Sequence, residues 1–300
     1  MPFFLKEKTK GDLIIVAGKR SGRPHVFGKK VSWCPFDKKN EKHTPPTTFA
    51  LPTEKNWRVR CFENGFPFLQ RKGKFLPVTK SNSPAAFGDH EVIVESDKHE
   101  DAFQEFSFDQ LRLCFSAYRQ REKALYAREG VKYVLLFKNH GKAAGASIDH
   151  EHSQIFSLPF VPPVVAAEEK SCGKKCVLCE LLKKEGGNVV FENDYFVAVR
   201  PSYARFPYEF WLVSKKHIGG FRDFDEAMAD EFCRALQQCA KTALKVCESY
   251  NFLYHSAPPK GKLHFHVEVV PRTNNWAGAE LGGGIIINSK QASQAVEELK

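Results

Sequence analysis

Apolar and polar positions follow two different periods along this chain, and the change of period predicts its elements. A continuous apolar run from Tyr133 to Phe137 indicates a buried strand. Before it, Ser107 begins a sequence typical of a helix start, and apolar residues then recur every three or four positions. This spacing predicts one long helix that ends near Gly130, with an apolar face of Phe108, Leu111, Phe115, Tyr118 and Leu125.

The second half of the chain repeats the same order of elements. The run from Phe210 to Val213 predicts a strand, and Asp225 stands where it would cap a second long helix. The apolar positions of that helix are Met228, Phe232, Leu236, Cys239, Ala243 and Val246. In both halves a further strand carrying a His-x-His pair follows the helix. We therefore interpret the chain as a duplicated module.

The spacing of the histidines supports this duplication. In the first half 51 residues separate His99 from His150, and in the second half 47 separate His217 from His264. We predict an α+β fold of two pseudo-equivalent domains, each an antiparallel-rich sheet with a long helix packed on it. The proline-rich stretch after Leu158 is interpreted as a linker, which divides the chain into residues 1–160 and 161–300.

The first His-x-His pair is part of the sequence His150-Glu-His152-Ser-Gln154. On a strand, residues two apart share a face, so the two imidazoles and the amide are expected to point the same way. Gly141 and Gly145 precede them in a loop of small residues, where backbone approaches a ligand closely. This set suits a phosphorus centre, with one imidazole attacking, one on a metal and the amide donating to phosphate. The alternative is a solvated face that carries two histidines.

The second copy differs where this chemistry would occur. Glu268 takes the place of Gln154, and a carboxylate would repel a phosphate where an amide donates to it. The sequence from Ser256 to Pro259 replaces the glycine loop. We therefore predict one active centre, at His152, and a structural role for His266.

Two sets of potential metal ligands occupy matching positions in the two halves. Cys176, Cys179, His217 and His264 form a tetrahedral zinc set with no open position, the alternative being an isolated pair of buried cysteines. The first-half set is Cys34, Asp37, His99 and His150. Its carboxylate is an acceptable zinc ligand, although His43 is a possible substitute for it. We expect Zn²⁺ at both sites, the alternative being a first site that Asp37 leaves weaker or empty.

Composition and charge narrow the possible partners. The 300 residues carry 42% hydrophobic residues and a formal net charge of +10, which favours anionic partners. Arg20 and Arg23 stand three apart and suit phosphate oxygens, although two solvated arginines would give the same spacing. The sequence has no block of basic residues with interleaved aromatics, so nucleic acid ranks behind phosphorylated small molecules. It also has no apolar run of about 18 residues, and we expect a cytoplasmic protein without a membrane span.

Taken in order, these motifs resemble the galactose-1-phosphate uridylyltransferase family of the histidine-triad superfamily over nearly the whole chain. The matching segments are Arg20-x-x-Arg23-Pro24, Cys34-Pro, the turn at Asn64, the lone His99, the loop from Asn139 to Ser147, His150-x-His152-x-Gln154, the second His-x-His, and the tail around Glu280. The resemblance implies a homodimer and a ping-pong transfer through a nucleotidyl-histidine.

The resemblance also implies roles for individual residues. His152 would be the nucleophile, its tautomer fixed by the carbonyl of His150, whose ring would bind zinc. Gln154 and Ser147 would hold phosphate oxygens beside the loop that contains Gly145. The remaining expected substrate contacts are Arg20 and Arg23 to the phosphates, Asn64 and Asn139 along the nucleotide, and Glu280 to sugar hydroxyls.

The chain departs from the family pattern at two positions. Asp37 stands where many members have a second cysteine, which puts the first metal site in doubt. Glu151 stands where a proline is common, and because it should face away from the two histidines we expect little effect.

Three functions are compatible with the sequence. The first is a UDP-glucose:hexose-1-phosphate uridylyltransferase, for which the substrates are a nucleotide sugar and a sugar phosphate and which Glu280 favours. The second is a phosphorylase of a nucleoside diphosphate-sugar such as ADP-glucose, or of a dinucleoside polyphosphate, with inorganic phosphate as acceptor. The third is a non-enzymatic zinc module that binds nucleic acid, which only the net charge supports.

Overall fold

The computed structural model describes residues 1–23, 33–71, 75–173, 175–184 and 186–300. The strands are β1 (Phe3–Lys6), β2 (Leu13–Val16), β3 (Thr47–Leu51), β4 (Val59–Glu63), β5 (His90–Val94), β6 (Tyr133–His140), β7 (His152–Leu158), β8 (Val189–Glu192), β9 (Phe196–Val199), β10 (Phe210–Ser214), β11 (Tyr250–His255) and β12 (His266–Pro271). The helices are α1 (Phe108–Tyr126), α2 (Pro163–Ser171), α3 (Val177–Lys184), α4 (Glu226–Leu244) and α5 (Ala292–Leu299).

Ten strands form one antiparallel sheet in the order β3-β4-β5-β7-β6-β11-β12-β10-β9-β8. Read outward from the centre, β6-β7-β5-β4-β3 matches β11-β12-β10-β9-β8 element for element. The two five-stranded halves join where β6 pairs with β11, from Phe137 opposite Leu253 to His140 opposite Tyr250. The predicted α+β class with two equivalent copies is confirmed, and the copies share a single continuous sheet. Separately, β1 and β2 pair as a hairpin.

The two long helices lie on one face of this sheet and begin where the sequence predicts. The Ser107 side chain accepts a hydrogen bond from the Gln110 backbone N–H, and that of Asp225 accepts one from Met228. Each capping bond satisfies a backbone donor that the first turn leaves unpaired, an effect of about 1 kcal/mol. The helices share one apolar core, in which the ring of Phe115 packs on those of Phe224 and Phe232.

Because side chains alternate along a strand, the sheet presents its other face away from these helices. Glu91 and Ile93 of β5 face the helix side, where Arg121 of α1 binds Glu91. His90 and Val92 therefore face the opposite side, and the cross-strand pair of Val92 with Gln154 places Gln154 there too. The side free of the long helices is the side that carries the predicted chemistry.

The stretch after Leu158 differs from the predicted linker because it contains α2. Pro163 occupies the first turn of α2, where a missing N–H costs nothing. Val165 of α2 is buried with Tyr133 and Leu263, so the connection packs on the sheet. Of the helices in the described ranges, none combines the length and the apolar character that crossing a bilayer needs.

Candidate active site

His152 begins β7, between β5 and β6, and its side chain is buried. Its Nδ1 lies 2.8 Å from the carbonyl oxygen of His150. A carbonyl only accepts, so Nδ1 carries the proton and donates it, and Nε2 keeps a free lone pair. Burial lowers the pKa of His152 below its ordinary 6.5, which favours this neutral form. The geometry presents an unprotonated nitrogen to the cleft described next.

A cleft of about 250 Å³ that opens to solvent lies over His152. A ligand pocket of a few hundred to a thousand Å³ suits a nucleotide-sized molecule. Seven of the predicted residues line it, namely Arg20, Arg23, Asn64, Gly145, Ser147, His152 and Gln154. Its apolar walls include Trp33, Phe36, Pro45, Phe62, Phe66, Val92 and Ile148. Polar groups thus converge at one place in a mostly apolar cleft, and His43 lines the wall instead of replacing Asp37.

Arg20 is held at the cleft by the turn after β4. Its Nη1 donates to the carbonyl of Phe66 at 2.9 Å, and its guanidinium lies 5.2 Å from the ring centre of Phe68. Burial and the neighbouring Arg23 lower the pKa of Arg20, whose guanidinium still stays charged at neutral pH. The two arginines make this part of the cleft attractive to phosphate. Pro24, the last residue of their motif, lies outside the described residues.

The glycine loop between β6 and β7 needs glycine at two positions. Gly141 has φ +83°, and a Cβ there would lie 2.2 Å from the Ser249 hydroxyl oxygen. Gly145 has φ +88°, in the left-handed region that glycine adopts without strain. This tight path brings Gly145 and Ser147 to the cleft.

Two predicted substrate contacts lie elsewhere in the described residues and do not line the cleft. Asn139 accepts a hydrogen bond from Asn251 Nδ2 at 2.8 Å, and Asn251 Nδ2 also donates to the Ala144 carbonyl. Asn251 therefore connects Asn139 with the glycine loop across the join of the two half-sheets. Glu280 is on an exposed turn, where it accepts from the backbone of Ala277. Their substrate contacts stay predictions.

The first predicted metal set is assembled as expected. Ligand atoms of Cys34, Asp37, His99 and His150 lie within 4.8 Å of one another. His150 Nε2 lies 2.8 Å from the Ser96 carbonyl, to which it donates, so its Nδ1 faces Asp37 Oδ1 at 3.1 Å. Burial raises the pKa of Cys34 to about 12, so a cation is needed to hold its sulfur as thiolate at neutral pH. The donors fit zinc.

In the second metal set, too, histidine Nε2 atoms donate to backbone carbonyls. Cys176, Cys179, His217 and His264 bring one ligand atom each within 4.8 Å. His264 Nε2 donates to the Ser214 carbonyl at 2.7 Å, and His217 Nε2 to that of Lys262 at 3.0 Å. Both Nδ1 atoms are thereby left unprotonated, facing the Cys179 sulfur at 3.4 and 3.5 Å. Such outer hydrogen bonds are typical of histidines that bind zinc.

A third group, which the sequence analysis missed, surrounds His266. Ligand atoms of Glu168, His255, His266 and Glu268 lie within 4.8 Å of one another, a set of types that also bind cations. His266 Nδ1 donates to the His264 carbonyl at 3.0 Å, as His152 does to that of His150. The rings of Trp211 and His255 pack on His266, and Arg205 pairs with Glu268. The alternation of β12 predicts that His266 and Glu268 share a face, whereas Glu168 comes from α2, which was not predicted.

Behind β7, on the helix side, a buried charge cluster was also missed. The ammonium group of Lys138, fully buried, contacts the carboxylates of Glu95 and Glu151. Ser153 and Tyr118 donate to Glu95 as well. Although burial alone would raise the pKa of Glu151, Lys138 and His140 lower it. Glu151 faces away from His152, as expected, but the ion pair ties β7 to β6 and β5.

The comparisons with known proteins agree with this geometry. The family model described as galactose-1-phosphate uridyl transferase, N-terminal domain, matches residues 50–162. A galactose-1-phosphate uridylyltransferase from Thermotoga maritima is 30% identical over 83% of this chain and 86% of its own length. The chain belongs to the galactose-1-phosphate uridylyltransferase family. It is accordingly an enzyme of the nucleotidyltransferase class, as predicted.

Within the uridylyltransferase family, a second relative covers more of this chain. An ADP-glucose phosphorylase from Arabidopsis thaliana is 30% identical over 96% of this chain and 89% of its own length. The crystal structure of an ADP-glucose phosphorylase from that plant with bound ADP-glucose has a TM-score of 0.81 at 29% identity, covering 100% of this chain and 98% of that one. A structure titled only as a uridylyltransferase also has a TM-score of 0.81, at 25% identity, over 100% and 97%.

Proposed function

We propose that the protein transfers a uridylyl group from UDP-glucose to a hexose 1-phosphate such as galactose 1-phosphate, through a covalent adduct on His152. The observation that carries this proposal is the orientation of one imidazole. Its Nδ1 is committed to the His150 carbonyl, which leaves Nε2 as a nucleophile at the cleft. A neutral imidazole attacks phosphorus well and is also a good leaving group.

The transfer has two balanced steps. In the first, His152 Nε2 attacks the α-phosphorus of UDP-glucose, the bond to the bridging oxygen breaks, and glucose 1-phosphate leaves. In the second, a phosphate oxygen of galactose 1-phosphate attacks the same phosphorus, the P–N bond breaks, and UDP-galactose leaves with His152 neutral again. Gln154, Ser147 and Arg20 line the cleft as donors for the equatorial oxygens, whose charge they would stabilise.

In this proposal the two halves divide the work, with residues 1–160 as the catalytic domain and 161–300 as a supporting domain. Bound Zn²⁺ would supply rigidity to both, because each four-donor set leaves no open position for substrate. In the first half His150 would connect metal to nucleophile, since its ring faces Cys34 and Asp37 and its carbonyl holds His152.

The proposed enzyme is a cytoplasmic homodimer. None of the nine cysteines, each within the described residues, is in a disulfide, in keeping with a reducing compartment. The tail exposes apolar side chains, among them Leu281, Ile285 and Ile287, which a second subunit would cover. Glu280 stands in the same tail, so its predicted sugar contact would belong to the assembled dimer.

A phosphorylase that uses ADP-glucose and inorganic phosphate is the second candidate. The relative of that name matches 96% of this chain. The first step is the same apart from the base, and in the second step a phosphate oxygen attacks the adduct and releases ADP. The described cleft has apolar walls of aromatic and aliphatic side chains, which stack with uracil or adenine alike.

A matrix of two donors and two acceptors tests this assignment. UDP-glucose and ADP-glucose are each incubated with galactose 1-phosphate and with inorganic phosphate, and the products are resolved by chromatography. We expect UDP-galactose from the first pair, whereas ADP from ADP-glucose and phosphate would establish the second candidate. Formation of neither product would contradict both.

A further inference from the structure

The amide of Gln154 is useful to a phosphate only if its NH2 group faces the cleft, because an amide oxygen there would repel phosphate oxygens. A network of four hydrogen bonds behind the cleft decides this orientation. It runs from the turn after β4 through His90, which no part of the proposed mechanism uses. Two backbone N–H groups of that turn, which only donate, set its direction.

The first of these N–H groups is that of Phe68, which lies 3.4 Å from His90 Nδ1. Since the backbone donates, Nδ1 is the acceptor and the proton of the neutral ring is on Nε2. His90 is buried, and burial lowers its pKa to about 3, so the ring stays neutral at physiological pH. The ring of Phe68 covers that of His90, with centroids 4.0 Å apart.

The second N–H group is that of Phe66, which donates to Asn64 Oδ1 at 2.9 Å. This bond fixes the Asn64 amide and turns its Nδ2 toward Gln154. Two donors then converge on Gln154 Oε1, since His90 Nε2 lies 3.0 Å and Asn64 Nδ2 3.4 Å from it. Asn64 Nδ2 also lies 3.2 Å from His90 Nε2, but that nitrogen carries the proton and accepts no hydrogen bond from it. In the flipped amide, Gln154 NH2 would face two donors and no acceptor at this point.

The equivalent positions of the second half carry the opposite arrangement. Val92 pairs with Gln154 as Trp211 pairs with Glu268. Counting back two residues in each half, Glu209, which immediately precedes β10, corresponds to His90. There Glu209 accepts from the backbone of Arg205 and Phe206, and the Arg205 side chain bridges to Glu268. The same position thus connects the same turn to the neighbouring strand in both halves. Only in the first half does it leave a free amide donor.

We propose that His90 is a positioning residue, which holds the oxygen of the Gln154 amide and so aims its NH2 group at the phosphate bound over His152. This inference deepens the proposed function and rests on it. His90 touches no substrate in this account, and it acts only through Gln154.

A double-mutant cycle on the full-length protein tests the coupling. The assay uses the pair of substrates that proves active in the matrix above. His90→Asn is expected to lower kcat by about 10- to 100-fold, within the range for losing one oriented hydrogen-bond donor. Gln154→Ala should cost at least as much, and the double variant should cost no more than Gln154→Ala alone. Losses that multiply, or a fully active His90→Asn, would overturn the proposal.

His90→Gln is the matched control, because a glutamine amide reaches the Nε2 position with an N–H donor whereas that of asparagine reaches only Nδ1. It should recover most of the lost kcat, and the thermal unfolding midpoints of both variants should show that each is folded. Equal losses in the two variants with intact folding would contradict a role for the Nε2 proton.

A measurement on the wild-type protein tests the inference without enzymatic turnover. Long-range ¹H–¹⁵N correlation spectra, assigned by the signal that His90→Gln removes, report the tautomer of His90. We expect the neutral Nε2–H form from about pH 5 to pH 8, given the ordinary histidine pKa near 6.5. An Nδ1–H tautomer or a charged ring would refute the inference, whereas an inactive wild type with the expected tautomer would refute only the proposed function.

Discussion

At the scale of single residues, the neutral state of His90 has a consequence for stability. Its pKa is lowered from 6.5 to about 3 by burial, so between these values the unfolded chain binds a proton that the folded chain does not. This unequal proton binding makes the folded state less stable as the pH falls below 6.5, at about 1.4 kcal/mol per pH unit. The contribution is absent above 6.5, where neither state is protonated.

Urea unfolding of wild type and His90→Gln at several pH values measures this contribution. The stability of wild type relative to the variant should decline from pH 6.5 to 5 by about 1.4 to 2 kcal/mol, the linkage for one proton. A constant difference would mean that His90 titrates normally in the folded protein.

Glu151 is the residue at which the structure most changes the expectation from sequence. From the sequence we expect Glu151 to have little effect, because it should face away from the two histidines. In the structure its carboxylate is buried against Lys138. Glu151→Leu leaves that ammonium with Glu95 alone, and breaking a buried pair costs about 3 to 5 kcal/mol. We expect a loss near 3 kcal/mol in chemical unfolding. The matched control is Glu192→Gln, in an exposed pair with Lys215, where a change within about 1 kcal/mol is expected.

At the scale of elements, the strands that carry function were predictable and the long-range contacts were not. The alternation along β7 placed Gln154 on the face of His152, and the cap at Ser107 set the start of α1. His150 comes just before β7, so the predicted strand begins two residues later than expected. Nothing local in the sequence pairs Lys138 with Glu95, 43 positions away, because that contact exists only once β5 and β6 flank β7. His90 was missed because a lone histidine at a strand start has no signature. Its alternation with Val92 gave the only hint.

The two metal sets are expected to differ in strength. The second has two sulfur ligands on the helix α3 and the turn before it, whereas the first replaces one sulfur with Asp37. Thiolates bind zinc more tightly than carboxylates do. Metal analysis of the purified protein should give one to two zinc per chain, and a chelator should remove the first-half zinc sooner.

Variants separate the two metal sites in the same analysis. Cys179→Ser should lower the zinc content by one per chain, and Asp37→Cys should slow the loss to chelator at the first site. A protein that holds no zinc at any stage would contradict both ligand assignments.

At the scale of the whole molecule, duplication has given two similar half-sheets, and we propose a nucleophile in only one of them. His152 and His266 share the bond from Nδ1 to the carbonyl two residues earlier. What surrounds them differs, since the first looks onto a cleft with Gln154 and Arg20, and the second is packed between Trp211 and His255 beside Glu268. The sequence predicts this asymmetry, because Glu268 stands at the position equivalent to Gln154. The packing of rings around His266 is seen only in the folded structure.

Intact mass spectrometry after incubation with UDP-glucose alone tests the central claim most directly, with ADP-glucose as the parallel donor. We predict one nucleotidyl group per chain on wild type and on His266→Asn, and none on His152→Asn. Both substitutions keep a donor for the carbonyl and remove only Nε2. An adduct that persists in His152→Asn, or two adducts per wild-type chain, would contradict the account.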